Sequence, residues 1–141
     1  MKSSRRRSRE FALQGLYQWQ LAKTDPQSIA RQLAEAKGFE KIDSAYFTAL
    51  LDGTVDNASA LEQEIAPCLD RKLQELSPVE RGILLLACFE FVHQPQVPYR
   101  VVINEAVELA KAYGGTDGHK FVNGVLDKLA ARVRAAETGA A

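Results

Sequence analysis

The fold is decided by the stretch at residues 77–92, which reads SPVERGILLLACFEFV. Ser77 can cap a helix, Pro78 suits the first helical position, and Glu80 at the third position completes a capping box. The residues that follow are apolar on almost every side, so the helix that they form needs to be buried on all of its faces. The stretch therefore predicts the central helix of a helical bundle.

Helical periodicity continues on both sides of this stretch. No run alternates strictly between apolar and polar residues between hairpin turns, as a strand would. We therefore expect an all-α fold, a bundle of about seven helices in two packed subdomains. The predicted helical segments lie at about 8–23, 25–38, 43–67, 69–73, 77–94, 99–115 and 117–136, with a cap at Asp117 and a tail that frays from Glu137.

The length of 141 residues and the hydrophobic content of 46% predict a single domain, residues 1–141. Pro67 marks a seam between an N-terminal helical half, about 1–66, and a C-terminal helical half, about 67–136. The chain has no apolar run of the roughly 20 residues that cross a bilayer, and its basic start lacks the apolar region of a secretory signal. We expect a cytoplasmic protein.

The charges are distributed unevenly along the chain. Its formal net charge is zero, yet five cations precede the first acidic residue, Glu10, and the remainder carries 13 basic against 18 acidic residues. Such a chain has a basic arm on a mildly acidic body, which suggests an anionic partner and a second, basic one. The cations are Lys2, Arg5, Arg6, Arg7 and Arg9.

This arm runs into a helix that carries Gln14, Tyr17, Gln18 and Trp19. Arginines neutralise phosphates and stack on bases, and an aromatic ring offers a platform to an unpaired base, so the combination is typical of RNA binding. Two alternatives stay open at this point. The arginine run can be a disordered solubilising arm, and Tyr17 can be a core residue with its hydroxyl at the rim.

The sequence contains no motif for catalysis or for a cofactor. A phosphate-binding glycine loop between strand and helix is absent, and the glycines at 114–118 fit a helix connector. Cys68 and Cys88 form no metal-ligand spacing with His93 or His119, and we expect both cysteines to be reduced core residues. We predict a protein that is not an enzyme and needs no cofactor.

Three blocks of the sequence resemble the transcription antitermination factor NusB family. The first is RRRSREFALQGLYQW at 5–19, and the second is LSPVER at 76–81 followed by LLLA at 84–87. The third is VPYRVVINEAVELAK at 97–111, continued by HKFVNGVLDK at 119–128. The resemblance covers about residues 2–134 in the order and spacing of the family.

The resemblance implies a factor that binds the single-stranded boxA RNA of ribosomal RNA operons together with NusE, a small-subunit ribosomal protein, and prevents premature termination. It also implies an antitermination complex on RNA polymerase with NusA and NusG. Carried over to matching positions, the partner contacts are Glu80 and Asp117. The implied RNA contacts are Lys2, Arg5, Arg6, Arg7, Arg9, Tyr17, Lys120, Phe121 and Asn123, although Phe121 can instead be a core residue.

Three other functions compete with this interpretation. The first is the NusB-like N-terminal domain of an RNA cytosine methyltransferase, which requires the chain to be a fragment; Met1 and a frayed tail favour a whole protein. The second is a helical protein-interaction module, or a homodimer, without specific RNA binding. The third and weakest is a nuclease. Whether the free protein is a monomer or a homodimer stays open.

Overall fold

A computed structural model describes residues 2–139, and this part of the chain forms eight α-helices and no strand. The all-α fold class is therefore confirmed. Short 3₁₀ turns lie at Phe39–Lys41, Ala66–Cys68 and Leu73–Glu75. The helices are α1 (Ser4–Ala22), α2 (Pro26–Leu33), α3 (Ser44–Asp56), α4 (Ala58–Ile65), α5 (Pro78–His93), α6 (Tyr99–Tyr113), α7 (Gly118–Val133) and α8 (Ala135–Thr138).

Helix α5 is the centre of the bundle, as the sequence predicts. Its cap forms as expected, because the Ser77 hydroxyl accepts a hydrogen bond of 3.1 Å from the backbone N–H of Glu80. The helix is buried from Gly82 to Phe91 and packs against α1, α3, α4, α6 and α7. Helices from both predicted halves thus share one core, and the division near residue 67 stays a prediction.

The arginine cluster belongs to a helix, which corrects the expectation of an arm that precedes it. Helix α1 begins at Ser4, and Ser3 caps it by accepting a hydrogen bond of 3.1 Å from the N–H of Arg6. The side chain of Ser8 is buried, donates to the carbonyl of Asp43 at 2.8 Å and accepts from its N–H at 2.9 Å. This reciprocal pair fixes the first turns of α1 to the start of α3.

Three other boundaries also differ from the prediction. The long third helix is divided at Asn57, whose side-chain amide donates to the carbonyl of Gly53 at 2.7 Å. Asp117 does not cap α7, because its backbone is left-handed with φ 63° and its side chain makes no capping hydrogen bond. The tail does not fray at Glu137, since this carboxylate accepts from the N–H of Tyr99 at 2.8 Å and pairs with Arg134.

Within residues 2–139, no helix has both the length and the apolar character that are needed to span a membrane.

Candidate nucleic-acid interface

Most cations at the start of α1 are paired with carboxylates from elsewhere in the fold. Positive side chains near a helix N-terminus oppose the helix dipole, so these pairs offset an unfavourable arrangement. The pairs are Lys2–Glu10 at 2.7 Å, Arg5–Asp43 at 3.6 Å, Arg6–Glu105 at 2.6 Å and Arg9–Glu90 at 2.8 Å. Within residues 2–139, Arg7 forms no ion pair.

Arg9 is a buried structural residue, and its direct contact with RNA stays a prediction. It is 5% exposed and donates two hydrogen bonds of 2.8 Å to Glu90, which is 2% exposed and also accepts one from the hydroxyl of Tyr46. Burial alone would lower the pKa of Arg9, but the hydrogen bonds and charge of Glu90 raise it above its usual value. Burial, followed by the charge of Glu90, raises the pKa of Tyr46.

Arg6 forms an ion pair within the fold and is also partly accessible to solvent. Its guanidinium donates to both oxygens of Glu105, at 3.0 and 2.6 Å, and this hydrogen bonding raises the pKa of Arg6. The Arg6 side chain remains 40% exposed. Because a guanidinium has five donors and Glu105 uses two of them, Arg6 can still donate to a phosphate.

Arg5 and Arg7 are the arginines with the greatest freedom to bind a phosphate. Arg5 is exposed, its distance to Asp43 is long for an ion pair, and its guanidinium lies 4.2 Å from the centre of the Tyr46 ring. Arg7 is half-buried and carries an uncompensated charge among the described residues. Backbone N–H groups at the start of α1 favour an anion at the same end.

Tyr17 lies on the surface, about three turns along α1 from these arginines. It is 43% exposed and lines a groove of about 370 Å³ between α1, the end of α2, the start of α5 and the end of α6. Leu13, Leu33 and Val79 form its apolar wall. The alternative of Tyr17 as a core residue is therefore wrong, and its ring is accessible to a flat ligand.

Four other predicted residues meet where α5 and α7 begin. A carboxylate oxygen of Glu80 lies 3.0 Å from the position that a Cβ on Gly118 would take, so the start of α7 abuts Glu80. Asp117 and Lys120, both exposed, form an ion pair of 3.4 Å. Phe121 follows on the same turn of α7. The structure thus brings Glu80, Asp117, Lys120 and Phe121 together.

Phe121 has two different faces. The residue is half-buried and packs partly against the core, and the guanidinium of Arg71 lies 4.6 Å from the centre of its ring. Arg71 is exposed and also pairs with its neighbour Asp70 at 2.8 Å. Phe121 is therefore an anchor for a stacked arginine, and an RNA base needs to displace or extend that stack.

Asn123 lies one turn after Lys120 on α7 but borders a different surface feature from the other predicted residues. It is exposed on α7 and borders a shallow depression that is also lined by Tyr99, Arg100, Asn104 and Asp127. None of the other predicted contacts lines this depression. The described residues, 2–139, contain no group of three or more His, Cys, Asp or Glu side chains that could hold a metal ion.

Sequence reasoning missed Arg71 and Tyr113. Arg71 stands in an irregular segment, where no periodicity indicates which way a side chain points. Tyr113 is 44% exposed at the end of α6 and lines the groove opposite Tyr17. An aromatic residue just before Gly114 and Gly115 was a signal for an exposed ring near a helix end, but its neighbours depend on how α6 packs against α1.

The chain matches the model described as the NusB family over residues 6–131. It is 58% identical to the transcription antitermination protein NusB of Azoarcus sp. (strain BH72), covering 99% of this chain and 91% of the relative. It is 57% identical to the protein of that name from Paraburkholderia phytofirmans (strain DSM 17436 / LMG 22146 / PsJN), covering 100% and 98%.

Solved structures agree with these relatives. The fold matches NusB of T. maritima with a TM-score of 0.81 and 32% identity, covering 92% of each chain. It also matches a crystal structure of the antitermination factors NusB and NusE in complex with double-stranded RNA. That match has a TM-score of 0.81 and 28% identity, and it covers 88% of this chain and 93% of the other.

Proposed function

The chain belongs to the NusB family, and on this basis we propose that it is an RNA-binding transcription antitermination factor. It binds the boxA RNA of ribosomal RNA operons together with NusE and prevents premature termination. Relatives that are more than half identical over nearly the whole chain carry the antitermination name, and a solved relative was crystallised with NusE and RNA.

One observation of this structure carries the proposal. The exposed Arg5, the half-buried Arg7 and the accessible ring of Tyr17 lie on one helix, α1. The arginines are suited to the phosphates of a strand and the ring to one of its unpaired bases. Arg5 and Arg7 supply the main phosphate contacts. Arg6 adds hydrogen-bond donors while it remains paired with Glu105, and Lys2 lies at the same end of α1. Arg9 supports the site by fixing α1 to α5.

A second surface, at the starts of α5 and α7, serves the partner. Glu80 and Asp117 are acidic, and a ribosomal protein is generally basic, so their charges are complementary to such a partner. Lys120 and Phe121 lie beside them and extend the RNA site up to the border of this surface. Asn123 contributes from the second turn of α7, beyond the border.

The wider assembly is part of the same proposal. The RNA and NusE complex joins RNA polymerase with NusA and NusG in the cytoplasm, where bacterial transcription takes place. The protein binds RNA without cleaving or modifying it, and it uses no cofactor.

One feature favours the competing function, a helical interaction module without specific RNA binding. Lys2, Arg5, Arg6 and Arg9 each have a carboxylate partner, so much of the positive charge on α1 is already compensated within the fold. In that interpretation, the arginines attach α1 to α3, α5 and α6, and only Arg7 is left to bind an anion.

Titration of fluorescein-labelled boxA RNA, read by fluorescence anisotropy, separates the two functions. Single-stranded boxA, a scrambled strand and a boxA duplex are each titrated with the protein alone and with the protein plus NusE. We expect weak binding by the protein alone and binding at least tenfold tighter, with boxA preferred over the scrambled strand, when NusE is present. Equal binding of boxA and scrambled RNA under both conditions contradicts the proposal, and shortened RNA would indicate a nuclease.

A further inference from the structure

Two of the helices that line the groove beside Tyr17 each contribute an exposed tyrosine. Tyr17 of α1 and Tyr113 of α6 are 43% and 44% exposed, and both line the same space of about 370 Å³. This volume falls within the range of about 300–1,000 Å³ that is usual for small-ligand sites. Two accessible phenol rings on an apolar wall form a site for a flat, aromatic group.

The rim of this groove carries hydrogen-bonding groups from one side of α1. Glu10, Gln14 and Gln18 line it together with the tyrosines. One oxygen of Glu10 accepts from Lys2 at 2.7 Å, and the hydroxyl of Tyr113 lies beside the same carboxylate. The amide oxygen of Gln18 is buried and has no hydrogen-bond partner within residues 2–139. The groove therefore offers acceptors to a ligand that carries N–H groups on its edge.

A buried acceptor without a donor is unfavourable in the unbound protein. Rotation of the Gln18 amide towards the groove lets a ligand N–H satisfy it. Burial and then the charge of Glu10 raise the pKa of Tyr113, so its phenol keeps its proton and stays neutral beside a ligand. A neutral ring between acceptors is suited to a nucleobase, which has π faces for stacking and N–H groups on its edge.

The groove is continuous with the cationic end of α1. Gln14 lies seven residues after Arg7, which is about 10 Å along a helix, and Glu10 lies between them in contact with Lys2. A strand whose phosphates contact Arg7 can therefore place a neighbouring base in the groove. Positive charge lies at one end of this surface and the two rings lie at the other. This arrangement is suited to a nucleobase of a bound RNA strand and is less suited to an apolar peptide.

We infer that Tyr17 and Tyr113 form a slot for one unpaired nucleobase, in which Tyr113 is a second stacking platform and Gln18 and Glu10 contact the base edge. The inference rests on the proposed RNA binding and assigns a role to Tyr113, Gln18 and Glu10. It predicts that a single nucleotide of the strand, and no other, depends on both rings.

The test combines three protein variants, Tyr113→Leu, Tyr113→Phe and Tyr17→Leu, with a series of RNA probes. Wild type, Tyr113→Leu and Tyr113→Phe, each in complex with NusE, are titrated with labelled boxA RNA and with versions in which one nucleotide at a time is abasic. We expect Tyr113→Leu to weaken binding about 5- to 100-fold, and Tyr113→Phe to stay within about threefold of wild type because it retains the ring. Circular dichroism checks that each variant is folded.

The abasic series decides whether the ring acts on a base. We expect one abasic position to weaken RNA binding by wild type. The same abasic position should cause no further loss of RNA affinity in Tyr113→Leu or in Tyr17→Leu. Wild-type affinity in Tyr113→Leu overturns the inference. The inference is also overturned if Tyr113→Leu weakens RNA binding but every abasic position keeps the effect that it has in wild type. It is overturned as well if Tyr113→Leu weakens the binding of NusE in the absence of RNA. If wild type itself binds no RNA, the proposed function fails first.

Discussion

The buried ion pair between Arg9 and Glu90 attaches α1 to the central helix, and its removal should strongly destabilise the fold. Both side chains are almost fully buried, two hydrogen bonds of 2.8 Å join them, and the hydroxyl of Tyr46 donates to the same carboxylate. Glu90→Leu leaves the guanidinium without its main partner. We expect a loss of about 3–5 kcal/mol in the free energy of unfolding.

Removing both charges should be less harmful than removing one. Arg9→Met combined with Glu90→Leu removes both buried charges, and Glu105 loses a long hydrogen bond of 3.4 Å from Arg9 but keeps its pair with Arg6. The main cost is then that the hydroxyl of Tyr46 loses its acceptor, about 1–3 kcal/mol. Adding Tyr46→Phe to the double variant removes that hydroxyl and should bring stability back to within about 1 kcal/mol of wild type.

Urea denaturation followed by circular dichroism measures these free energies, with an unchanged slope as evidence that the unfolding reaction is the same. The matched control is the exposed pair Arg132–Glu64 at 3.4 Å, where Glu64→Ala should cost less than about 1 kcal/mol. The reasoning is refuted if Glu90→Leu costs no more than this control, or if the double variant costs as much as the two single variants added together.

Three further outcomes follow from packing and titration. Gly53→Ala should cost about 1–3 kcal/mol in urea denaturation because its new Cβ collides with the ring of Phe89, whereas Gly124→Ala meets open space and should be neutral or stabilising. Burial raises the pKa of Tyr46, so the protonated phenol contributes its full stabilisation below about pH 10 and loses it as the pH rises above that value. The urea midpoint of Tyr46→Phe should therefore decline less at alkaline pH than that of wild type. Equal declines in the two proteins would contradict this expectation. Burial also raises the pKa of Cys88 to about 12, so iodoacetamide at pH 8 should label this thiol only after urea unfolds the chain, as mass spectrometry would show; labelling of the native protein would contradict its burial.

The parts of the fold that the sequence predicts well are those set by local interactions. The cap at Ser77, the proline after it and the apolar run of α5 all act within a few residues of each other. The cap at Asp25 forms for the same reason, with its carboxylate 3.0 Å from the N–H of Ser28. Family membership was also predictable, because the three sequence blocks lie in helices whose order the family shares.

The role of the arginine cluster was harder to predict because its partners are distant in sequence. Arg6 pairs with a residue 99 positions away, and Arg9 with one 81 positions away. Arginines in a row look like a free arm until the fold supplies Glu105 and Glu90. Sequence reasoning therefore assigned one role to the whole cluster, whereas the structure separates the buried Arg9 from the accessible Arg5 and Arg7.

The groove could not be predicted for a similar reason. Tyr17 was recognised because it follows the arginines along the chain, whereas Tyr113 reaches the same space only because α6 packs against α5 and brings its last turn beside α1. A helix end gives little information about its neighbours, since the adjoining loop decides its direction. The unpaired oxygen of Gln18 is likewise a product of packing, which a pattern of residue types does not contain.

The most direct test of RNA binding by α1 is the salt dependence of boxA affinity in the presence of NusE. For single strands, the logarithm of affinity falls with the logarithm of salt concentration by about 0.7 per phosphate contact. Arg7→Ala should flatten this slope by about 0.7 unit, and adding Arg6→Ala should bring the total change to between about 1 and 1.5 units, because Glu105 already holds part of the Arg6 charge. An unchanged slope in the double variant would contradict the claim that this face of α1 holds the RNA backbone.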